Sequence, residues 1–457
     1  MKNKKVLVMG LGTLGGGIAV TKWLVRHGAK VTVTDLKTKN ELKSSIKTLG
    51  SLAKRINFIL GKHRDIDFKT NEIVIVNPAV SRESPYLKIA KKSGALLENE
   101  ASLFFKLCKN PIIAVTGTRG KTTTVNWIYH LLKRKFKNTV LTGNSSENPM
   151  LNVLDKLDGK SPVVVELSSW HLEILSKAGR APRIAVITNI YPDHLNRYKS
   201  IRDYALAKAN IFKNQSQRDY LVLNKLNLWT DFFVKLHKKW GIKSKIFYFP
   251  FKPAVSKKAF IRKYGSHNWE NFTAASLVAL KAGLSASVIK KSANSLPEIK
   301  FREQIIYDKK NLKIINDTTA TSPDATIVAF KRFAGKSLIL IAGGTDKKLE
   351  FGDWAKAVKK YVVPQKLFLL NGSATKKMVK ELKRVGYFRK FRPQLFEDLR
   401  GILLEIRGEL KAKNYKPTTI LFSPSAASFE KFKNEFNRGK EFNKYAKFSF
   451  ITPPSRS

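Results

Sequence analysis

Cysteine, acidic side chains and long apolar runs are all scarce in this sequence. The 457 residues include one cysteine, Cys108, so no internal disulfide can form, and such a chain is typical of a reducing cytoplasm. No run of about 18 consecutive apolar residues occurs, so we expect no membrane span. The short apolar stretch near the N-terminus ends in glycines and predicts a strand rather than a signal peptide. We therefore expect a cytoplasmic protein.

The shortage of acidic residues gives the chain a high positive charge. Asp and Glu number 34 against 86 Lys and Arg, for a net charge of +52. That charge makes binding to nucleic acid or to an anionic membrane a first hypothesis. The cations, however, are spread along the chain, mostly as lysines on predicted helix faces, with no aromatic RNA-binding motif and no basic tail. We interpret them as a solvated surface and expect no specific nucleic-acid partner.

A buried strand, a glycine turn and an amphipathic helix follow one another in IIAVTGTRGKTTTVNWIYHLLK, residues 112–133. Gly117 and Gly120 permit a tight turn whose N–H groups face phosphate oxygens, and Lys121 adds a mobile cation. The hydroxyl of Thr122 can bind the Mg²⁺ ion of a nucleotide. The sequence therefore predicts an ATP site formed by Gly117, Thr118, Arg119, Gly120, Lys121, Thr122 and Thr123.

A second glycine turn lies near the N-terminus. A strand, the glycines Gly10, Gly12 and Gly15, a helix and a second strand that ends in Asp35 follow one another there. This order is the dinucleotide-binding fingerprint. Taken alone, it indicates a dehydrogenase with a nicotinamide cofactor, but a phosphate loop of another type follows it a hundred residues later.

The loop TGTRGKTTT contains only a shortened phosphate-loop pattern, G-x-x-G-K-T. It resembles the nucleotide loop of the Mur ligase and folylpolyglutamate synthase superfamily, whose members join an amino acid to a carboxylate with ATP. The segments ELSSW, YALAK and SPSAASFEKF extend the resemblance over nearly the whole chain in the same order. The resemblance implies an α/β fold with three domains. These are an N-terminal Rossmann-like domain that binds a UDP-linked substrate (1–108), a central P-loop ATPase-like domain with a parallel or mixed sheet (109–298), and a C-terminal Rossmann-like domain that closes on the amino acid and ATP (299–457).

By this resemblance, the N-terminal glycine turn holds the uridine and diphosphate of the substrate. The turn after the strand EIVIV departs from the family, because Asn77-Pro78-Ala79 replaces a Ser-Pro-Gly sequence and so weakens the contacts expected there. The residues implied for the substrate are Gly12, Thr13, Leu14, Gly15, Asp35 and Asn144.

Three further residues suggest a metal site. Glu166 ends a predicted buried strand, a second buried strand is predicted to end in His194, and Lys208 lies on the inner face of the helix IRDYALAKANIF. An unpaired buried carboxylate is costly, so Glu166 is expected to bind a metal, whereas a lysine is a cation and no ordinary ligand. The resemblance implies that CO₂ carbamylates Lys208, which then binds a second Mg²⁺ with Glu166 and His194, while Thr122 binds the first. Two departures from the family stand nearby, at His171 and Asn196.

The remaining implied contacts follow residue 267. Two asparagines open a helix near ATP, although capping of that helix is an alternative explanation for them. The residues implied for ATP are Asn268, Asn271, Arg302 and Asp317, and those implied for the amino acid are Thr321, Lys347 and Ser428, with Arg438 at a further matching position.

The amino-acid pocket departs from the pattern of the family's D-glutamate ligases at two places. The segment 318–321 lacks their lysine, and Glu435 stands seven positions after Ser428, where they have an aromatic residue, with Phe436 one place late. A buried dicarboxylate needs donors and cations. Lys347 and Thr321 remain with Ser428, so we predict glutamate, as the D rather than the L enantiomer, provided that Glu435 turns outward.

The implied reaction is ATP-driven amide formation in cytoplasmic peptidoglycan precursor synthesis. ATP phosphorylates the carboxylate of UDP-N-acetylmuramoyl-L-alanine, and the amine of D-glutamate attacks the acyl phosphate, with Lys121, His194 and Lys208 as catalytic residues and two Mg²⁺ ions. We expect a monomer. Another Mur-type or folylpolyglutamate-type ligase is the alternative among enzymes. A dehydrogenase and a nucleic-acid-binding protein are the alternatives from other classes.

Overall fold

The computed structural model of the chain describes residues 1–13, 15–78, 80–144, 148–195, 197–309, 311–333, 335, 337–412 and 417–451. These residues form two compact units, Met1–Pro297 and Glu298–Ser457. The first unit contains two β-sheets and the second unit contains one. Of the helices that the structure describes, none combines the length and the apolar character needed to cross a bilayer.

The first sheet has five parallel strands in the order β3-β2-β1-β4-β5. Successive residues of its central strand alternate between two apolar layers, so helices cover both faces, as expected for a parallel sheet. The strands are β1 (Lys5–Met9), β2 (Lys30–Asp35), β3 (Ile56–Leu60), β4 (Ile73–Val76) and β5 (Leu96–Glu98). The helices are α1 (Gly16–Arg26), α2 (Lys43–Leu49), α3 (Asp65–Thr70), α4 (Pro85–Lys92) and α5 (Glu100–Leu107).

The second sheet has six parallel strands in the order β11-β10-β9-β6-β8-β7. The strand β6 is buried along its whole length between β8 and β9. The strands are β6 (Ile112–Thr116), β7 (Val140–Gly143), β8 (Val163–Glu166), β9 (Ile184–Ile187), β10 (Tyr220–Asn224) and β11 (Lys245–Phe249). The helices are α6 (Lys121–Leu132), α7 (Ser169–Leu175), α8 (Ile201–Ala209), α9 (Thr230–Lys239), α10 (Lys257–Tyr264), α11 (Asn268–Lys281) and α12 (Ala286–Ser292).

The prediction that a strand ends in His194 is wrong. The strand β9 ends at Ile187, and His194 lies in a turn with a positive φ of 54°. The chain leaves the sheet because the side chain of Asn189 accepts a hydrogen bond from Arg119 N (2.9 Å), and Pro192 has no N–H for a strand ladder. His194 therefore lies beyond the strand end, above the carboxyl edge of the sheet.

The second unit contains a mixed sheet in the order β12-β13-β17-β14-β15-β16, in which only the β12–β13 pair is antiparallel. Apolar layers again cover both faces. The strands are β12 (Gln304–Lys309), β13 (Leu312–Asn316), β14 (Leu338–Gly343), β15 (Leu367–Leu370), β16 (Gln394–Phe396) and β17 (Thr418–Phe422). The helices are α13 (Pro323–Phe333), α14 (Gly352–Tyr361), α15 (Ser373–Arg384), α16 (Leu399–Ala412) and α17 (Glu435–Ala446).

The predicted α/β fold class is confirmed, since each of the three sheets is a layer between helices. The order of elements follows from the sequence, because short runs of β-branched residues alternate with amphipathic segments. The boundaries at residues 108 and 298 stay a prediction.

Candidate active site

The turn after β6 favours glycine at two positions. Gly117 has φ 147°, and a Cβ atom there would lie 1.9 Å from Thr188 Oγ1. Gly120 has φ 80°, and its Cβ would lie 2.2 Å from Asn271 Oδ1. Thr188, just after β9, and Asn271 on α11 thus lie directly against the loop, so a larger residue at either place would need a neighbouring side chain to move and would be strained in its φ.

Lys121 lies over this loop. Its Nζ donates hydrogen bonds to Gly117 O (3.0 Å) and Thr118 O (2.9 Å). The helix α6 begins at Lys121, so the N–H groups of its first turn and the positive end of its dipole face the same space. The loop, the lysine and the helix start together offer the donors and the positive charge that a phosphate group would need, and Thr122 and Thr123 lie in the first turn.

The asparagines of α11 lie beside the loop. Asn271 Oδ1 accepts a hydrogen bond from Thr124 Oγ1 (3.4 Å), and its amide donates to Asn268 Oδ1 (3.0 Å). Asn268 in turn donates to Tyr264 O (2.8 Å), and the residue at the N-cap of α11 is His267, whose side chain makes no capping bond. The structure therefore places Asn271 against the phosphate loop, and neither asparagine caps the helix.

Lys208 is buried at the carboxyl end of β6, with an exposed fraction of 1%. Its Nζ donates to Thr116 Oγ1 (3.3 Å) and lies 4.7 Å from the centre of the Tyr204 ring. Burial lowers the pKa of Lys208 well below its usual value, and Lys121 lowers it further, against an opposite effect of Asp193 and Glu166. The lowered pKa favours the neutral, nucleophilic form of the amine relative to an exposed lysine.

Glu166 and His194 lie at the same edge of the sheet. Glu166 ends β8 with 8% of its surface exposed, and the His194 ring lies 5.3 Å from the Trp170 ring and 6.1 Å from the Tyr204 ring. Within the described ranges, no group of three His, Cys, Asp or Glu side chains is arranged to hold a metal ion. Oxygen donors of the kind that Mg²⁺ prefers are nevertheless present, because the carboxylates of Glu166 and Asp193 both act on Lys208 and the Thr122 hydroxyl lies in the first turn of α6.

His171, one of the two positions that depart from the family, is buried and stabilises the start of α7. Its Nδ1 lies 3.3 Å from Ser168 N, and its own N–H donates to Ser168 Oγ, which completes a capping box. Burial lowers the pKa of His171 to about 4. It is therefore a neutral ring at physiological pH. Asn196, Ala79 and Leu14, three residues that the sequence analysis singled out, lie outside the described residues.

The N-terminal glycine turn is held by Asp35. The Asp35 carboxylate accepts hydrogen bonds from Gly12 N (3.0 Å) and Lys37 N (2.9 Å), and Ser45 Oγ donates to Gly12 O (2.8 Å). Thr13 is exposed, and Gly15 precedes the first turn of α1. The acidic residue therefore fixes the turn, and its bonds to N–H groups of the chain occupy both carboxylate oxygens.

The expected ATP residues of the second unit meet at the end of β13. Asp317 is buried, and its carboxylate accepts bonds from Glu303 N (3.0 Å) and Ser423 Oγ (2.8 Å). Burial, together with the nearby Glu303 carboxylate, raises the pKa of Asp317 to about 7, although Ser423 and Arg302 oppose that rise. The Nε of Arg302 is buried without a hydrogen-bond partner among the described residues.

The expected amino-acid residues also lie in the second unit. Lys347 Nζ donates to Thr321 Oγ1 (3.0 Å), while the hydroxyl of Ser428 is buried and has no hydrogen-bond partner within the described part of the chain. Glu435 is the first residue of α17, and Phe436 beside it is 38% exposed with its ring 6.4 Å from that of Phe301. The buried hydroxyl of Ser428 is thus a donor available to a ligand.

Arg438 shapes the chain in front of Ser428. Its guanidinium is fully buried and donates to Ala426 O (3.1 Å), Ala427 O (3.0 Å) and both oxygens of Thr318 (2.9 and 3.0 Å). Burial lowers the pKa of Arg438 to about 10. Sequence matching singled out this arginine, but its role as a clamp on main-chain carbonyls could be seen only in the structure.

Other residues of the site were missed from the sequence. Thr188 Oγ1 donates to Arg119 O (2.6 Å), and the Thr118 hydroxyl lies 3.3 Å from the hydroxyl of Tyr204. The spacing of Tyr204 and Lys208 contained a usable signal, because residues i and i+4 share one helix face. Thr188 gave no such signal. Asn144, by contrast, was predicted, and its N–H donates to Glu166 O (2.9 Å).

Comparisons with known proteins point to the same family along the chain. Residues 4–97 match the family described as "Mur ligase MurD-like, N-terminal domain", and residues 115–261 match the "Mur ligase middle domain". The UDP-N-acetylmuramoylalanine–D-glutamate ligase of Roseiflexus sp. (strain RS-1) is 35% identical, with 97% of this chain and 98% of the relative covered. The protein of the same name from Borreliella afzelii (strain PKo) is 36% identical at the same coverage.

Solved structures share the fold at low identity. The MurF ligase of Acinetobacter baumannii superposes with a TM-score of 0.60 at 15% identity, covering 97% of this chain and 93% of the other. The UDP-N-acetylmuramate–alanine ligase MurC of Thermotoga maritima gives a TM-score of 0.57 at 20% identity, covering 97% and 99%.

The raised pKa of Asp317 predicts a pH dependence of stability. From about pH 4 to pH 7 the folded state keeps a proton that the unfolded state has lost, so stability falls as pH rises through this window and then levels. Asp317→Asn should reduce the difference in the free energy of unfolding between pH 5.5 and pH 7.5 by about 1–3 kcal/mol. Urea denaturation followed by circular dichroism would measure it. Asp353→Asn, which changes an exposed carboxylate, is the control, and equal pH slopes in both variants would contradict the prediction.

Proposed function

This chain belongs to the Mur ligase family, and we propose that it joins D-glutamate to UDP-N-acetylmuramoyl-L-alanine with the hydrolysis of ATP to ADP and phosphate. Members of the family are ligases that use ATP, generally with Mg²⁺. The names of the two relatives support the choice of substrates, since the similarity to each extends over nearly the whole chain. A single copy of the chain carries every residue invoked here, so the proposal requires no second subunit.

The observation that carries the proposal is the arrangement at the carboxyl edge of the second sheet. The phosphate loop and its Lys121 end β6, and the buried Lys208 contacts Thr116 at the end of the same strand. Phosphoryl transfer needs positioned cations and dipoles more than covalent help from the protein. An anion-binding loop directly beside a buried amine and a buried carboxylate fits that requirement.

The chemistry has two steps. An oxygen of the substrate carboxylate attacks the γ-phosphorus of ATP, the bond to the bridging oxygen breaks, and ADP leaves. The amine of glutamate then attacks the carbonyl carbon of the acyl phosphate, phosphate leaves, and the nitrogen loses a proton to give the amide. Lys121 and the N–H groups of the loop would stabilise the charge that develops on the phosphoryl oxygens.

Lys208 is proposed to be carbamylated. Its neutral nitrogen can attack the carbon of CO₂ and lose a proton, which yields a carbamate anion. The burial of the amine and its lowered pKa support this step, since a protonated lysine has no lone pair to react. The carbamate, Glu166 and His194 would hold one Mg²⁺ ion and Thr122 another, and these ions would supply positive charge to phosphate oxygens when bound.

The substrate assignment extends to the remaining elements. We propose that residues 1–108 bind the UDP part, residues 109–298 bind ATP, and residues 299–457 bind the amino acid. The end of the first compact unit at Pro297 supports the second boundary. The Lys347–Thr321 pair and the buried hydroxyl of Ser428 offer a cation and a donor for a side-chain carboxylate.

The identity of the substrates is tested by phosphate release. Addition of UDP-N-acetylmuramoyl-L-alanine and D-glutamate together should stimulate phosphate release from ATP, whereas L-glutamate or lysine in place of D-glutamate should not. Stimulation by lysine alone would refute the choice of glutamate and leave the ligase chemistry intact. No stimulation by any amino acid would refute the ligase itself.

Removal of Lys121 tests the phosphate loop. Lys121→Ala should lower kcat by about 10²–10³, because it deletes a cation that stabilises the transferring phosphoryl group. Lys133→Ala, an exposed lysine just after the same helix, is the control and should retain activity. A Lys121→Ala enzyme within about threefold of the wild type would contradict the assignment.

Two substitutions separate a carbamate from a simple cation at position 208. Lys208→Ala should be inactive and partly rescued by a short carboxylic acid in solution, whereas Lys208→Arg should stay inactive because it retains charge but cannot carry the carbamate. Native mass spectrometry of the wild type should show a CO₂ adduct that both variants lack. Lys199→Ala, at an exposed lysine, should keep both the adduct and the activity. A wild-type enzyme that is active without any adduct would refute the carbamate.

A further inference from the structure

A buried carboxylate on α7 gathers two arginines and a tyrosine. Glu173 is 8% exposed in its side chain and accepts bonds from Arg197 Nε (2.9 Å), Arg197 Nη2 (2.8 Å), Tyr198 Oη (2.7 Å) and Arg82 Nε (2.9 Å). We call these four residues the Glu173 cluster. Burial alone would raise the pKa of Glu173, but the hydrogen bonds from its partners outweigh burial and lower it. Glu173 is therefore an anion held by two cations.

One side of the cluster contacts the segment between β4 and α4. Arg82 belongs to the stretch between β4 and α4, and Arg197 Nη1 donates to Pro78 O (2.9 Å) in the same stretch. The guanidinium of Arg82 also lies 5.4 Å from the centre of the Tyr198 ring. Two separate contacts, at Pro78 and at Arg82, thus attach the segment 77–84 to the second sheet's layer. The structure describes this segment, which holds the altered Asn77-Pro78 turn, except at residue 79.

The other side of the cluster holds the His194 turn. The N–H groups of Arg197 (2.9 Å) and Tyr198 (3.1 Å) both donate to His194 O and close the turn in which His194 has its positive φ. The Arg197 guanidinium lies 5.4 Å from the centre of the Trp170 ring, and that ring is the one beside the His194 imidazole. Arg197 and Tyr198, which bind Glu173, are therefore also the residues that close the turn at His194.

We propose that the Glu173 cluster positions the substrate-side segment 77–84 relative to the His194 turn. Arg82 is the positioning residue that belongs to the segment itself. The inference rests on the proposed function, because it assigns segment 77–84 to the UDP-linked substrate. Arg82 is 44% exposed in its side chain, and without it Glu173 remains paired with Arg197. Loss of Arg82 therefore loosens the segment without leaving a buried charge unpaired.

Kinetics of Arg82 variants test the proposal. Arg82→Ala should lower kcat/KM for the UDP-linked substrate by about 10- to 100-fold, since small misplacements of a bound substrate have effects of this size. The KM for ATP should stay within about twofold, because the phosphate loop is not part of the cluster. Arg82→Lys should restore part of the loss, as an ammonium can still reach the Glu173 carboxylate. The matched control is Arg55→Ala, which removes an exposed arginine elsewhere in the first sheet's layer.

Coupling and exchange measurements separate positioning from general stability. In a Glu173→Gln background, a further Arg82→Ala change should cost much less than it does alone, because the two residues act through one contact. In the free protein, amide hydrogen exchange in 77–84 should be faster in Arg82→Ala than in Arg55→Ala. Three results would each overturn the proposal. The effects of Glu173→Gln and Arg82→Ala on activity could be additive, or Arg82→Ala could impair the use of ATP as much as that of the UDP-linked substrate. The amide hydrogen exchange of 77–84 could also be the same in Arg82→Ala as in Arg55→Ala. A wild type without ligase activity would instead refute the proposed function, while the exchange comparison, which needs no substrate, would still decide on the cluster.

Discussion

The cost of burying charge organises the first unit. Three ionisable side chains, Glu166, Glu173 and Lys208, lie almost entirely out of water around the carboxyl edge of the second sheet. Each one meets that cost differently. Glu173 is paired with arginines, and burial lowers the pKa of Lys208. Glu166 lies at the end of β8, where a metal is proposed to bind. All three side chains are thus accommodated at the same edge of one sheet.

Much of the architecture follows from the sequence because its signals are local. Continuous β-branched runs such as VVVE and IAVI identify buried parallel strands. Gly117 and Gly120 identify the turn after β6, because both have a positive φ that strains other residues. Lys208 was placed on the inner face of its helix by the same kind of pattern. The strand predicted to end in His194 failed because an Asn189 side-chain bond to another segment draws the chain out of the sheet, and no local pattern encodes such a bond.

The parts of the site that escaped prediction depend on partners distant in sequence. Arg82 and Glu173 lie about ninety positions apart, and the carbonyls that Arg438 binds belong partly to Thr318, 120 positions earlier. Periodicity cannot pair such residues, and composition offers only a surplus of cations among which two particular arginines look ordinary. The high positive charge also makes functional cations hard to recognise in the sequence, because the few buried ones, such as Lys208 and Arg438, are among 86 Lys and Arg.

The contact between Gly120 and Asn271 has a consequence for synthesis on the ribosome. The loop and the strand before it emerge early, but the helix that presses on Gly120 is translated about 150 residues later. Domains form as units while the chain elongates, at roughly 5–20 residues per second. A nascent chain therefore carries the phosphate loop for several seconds before Asn271 is available to pack beside Gly120.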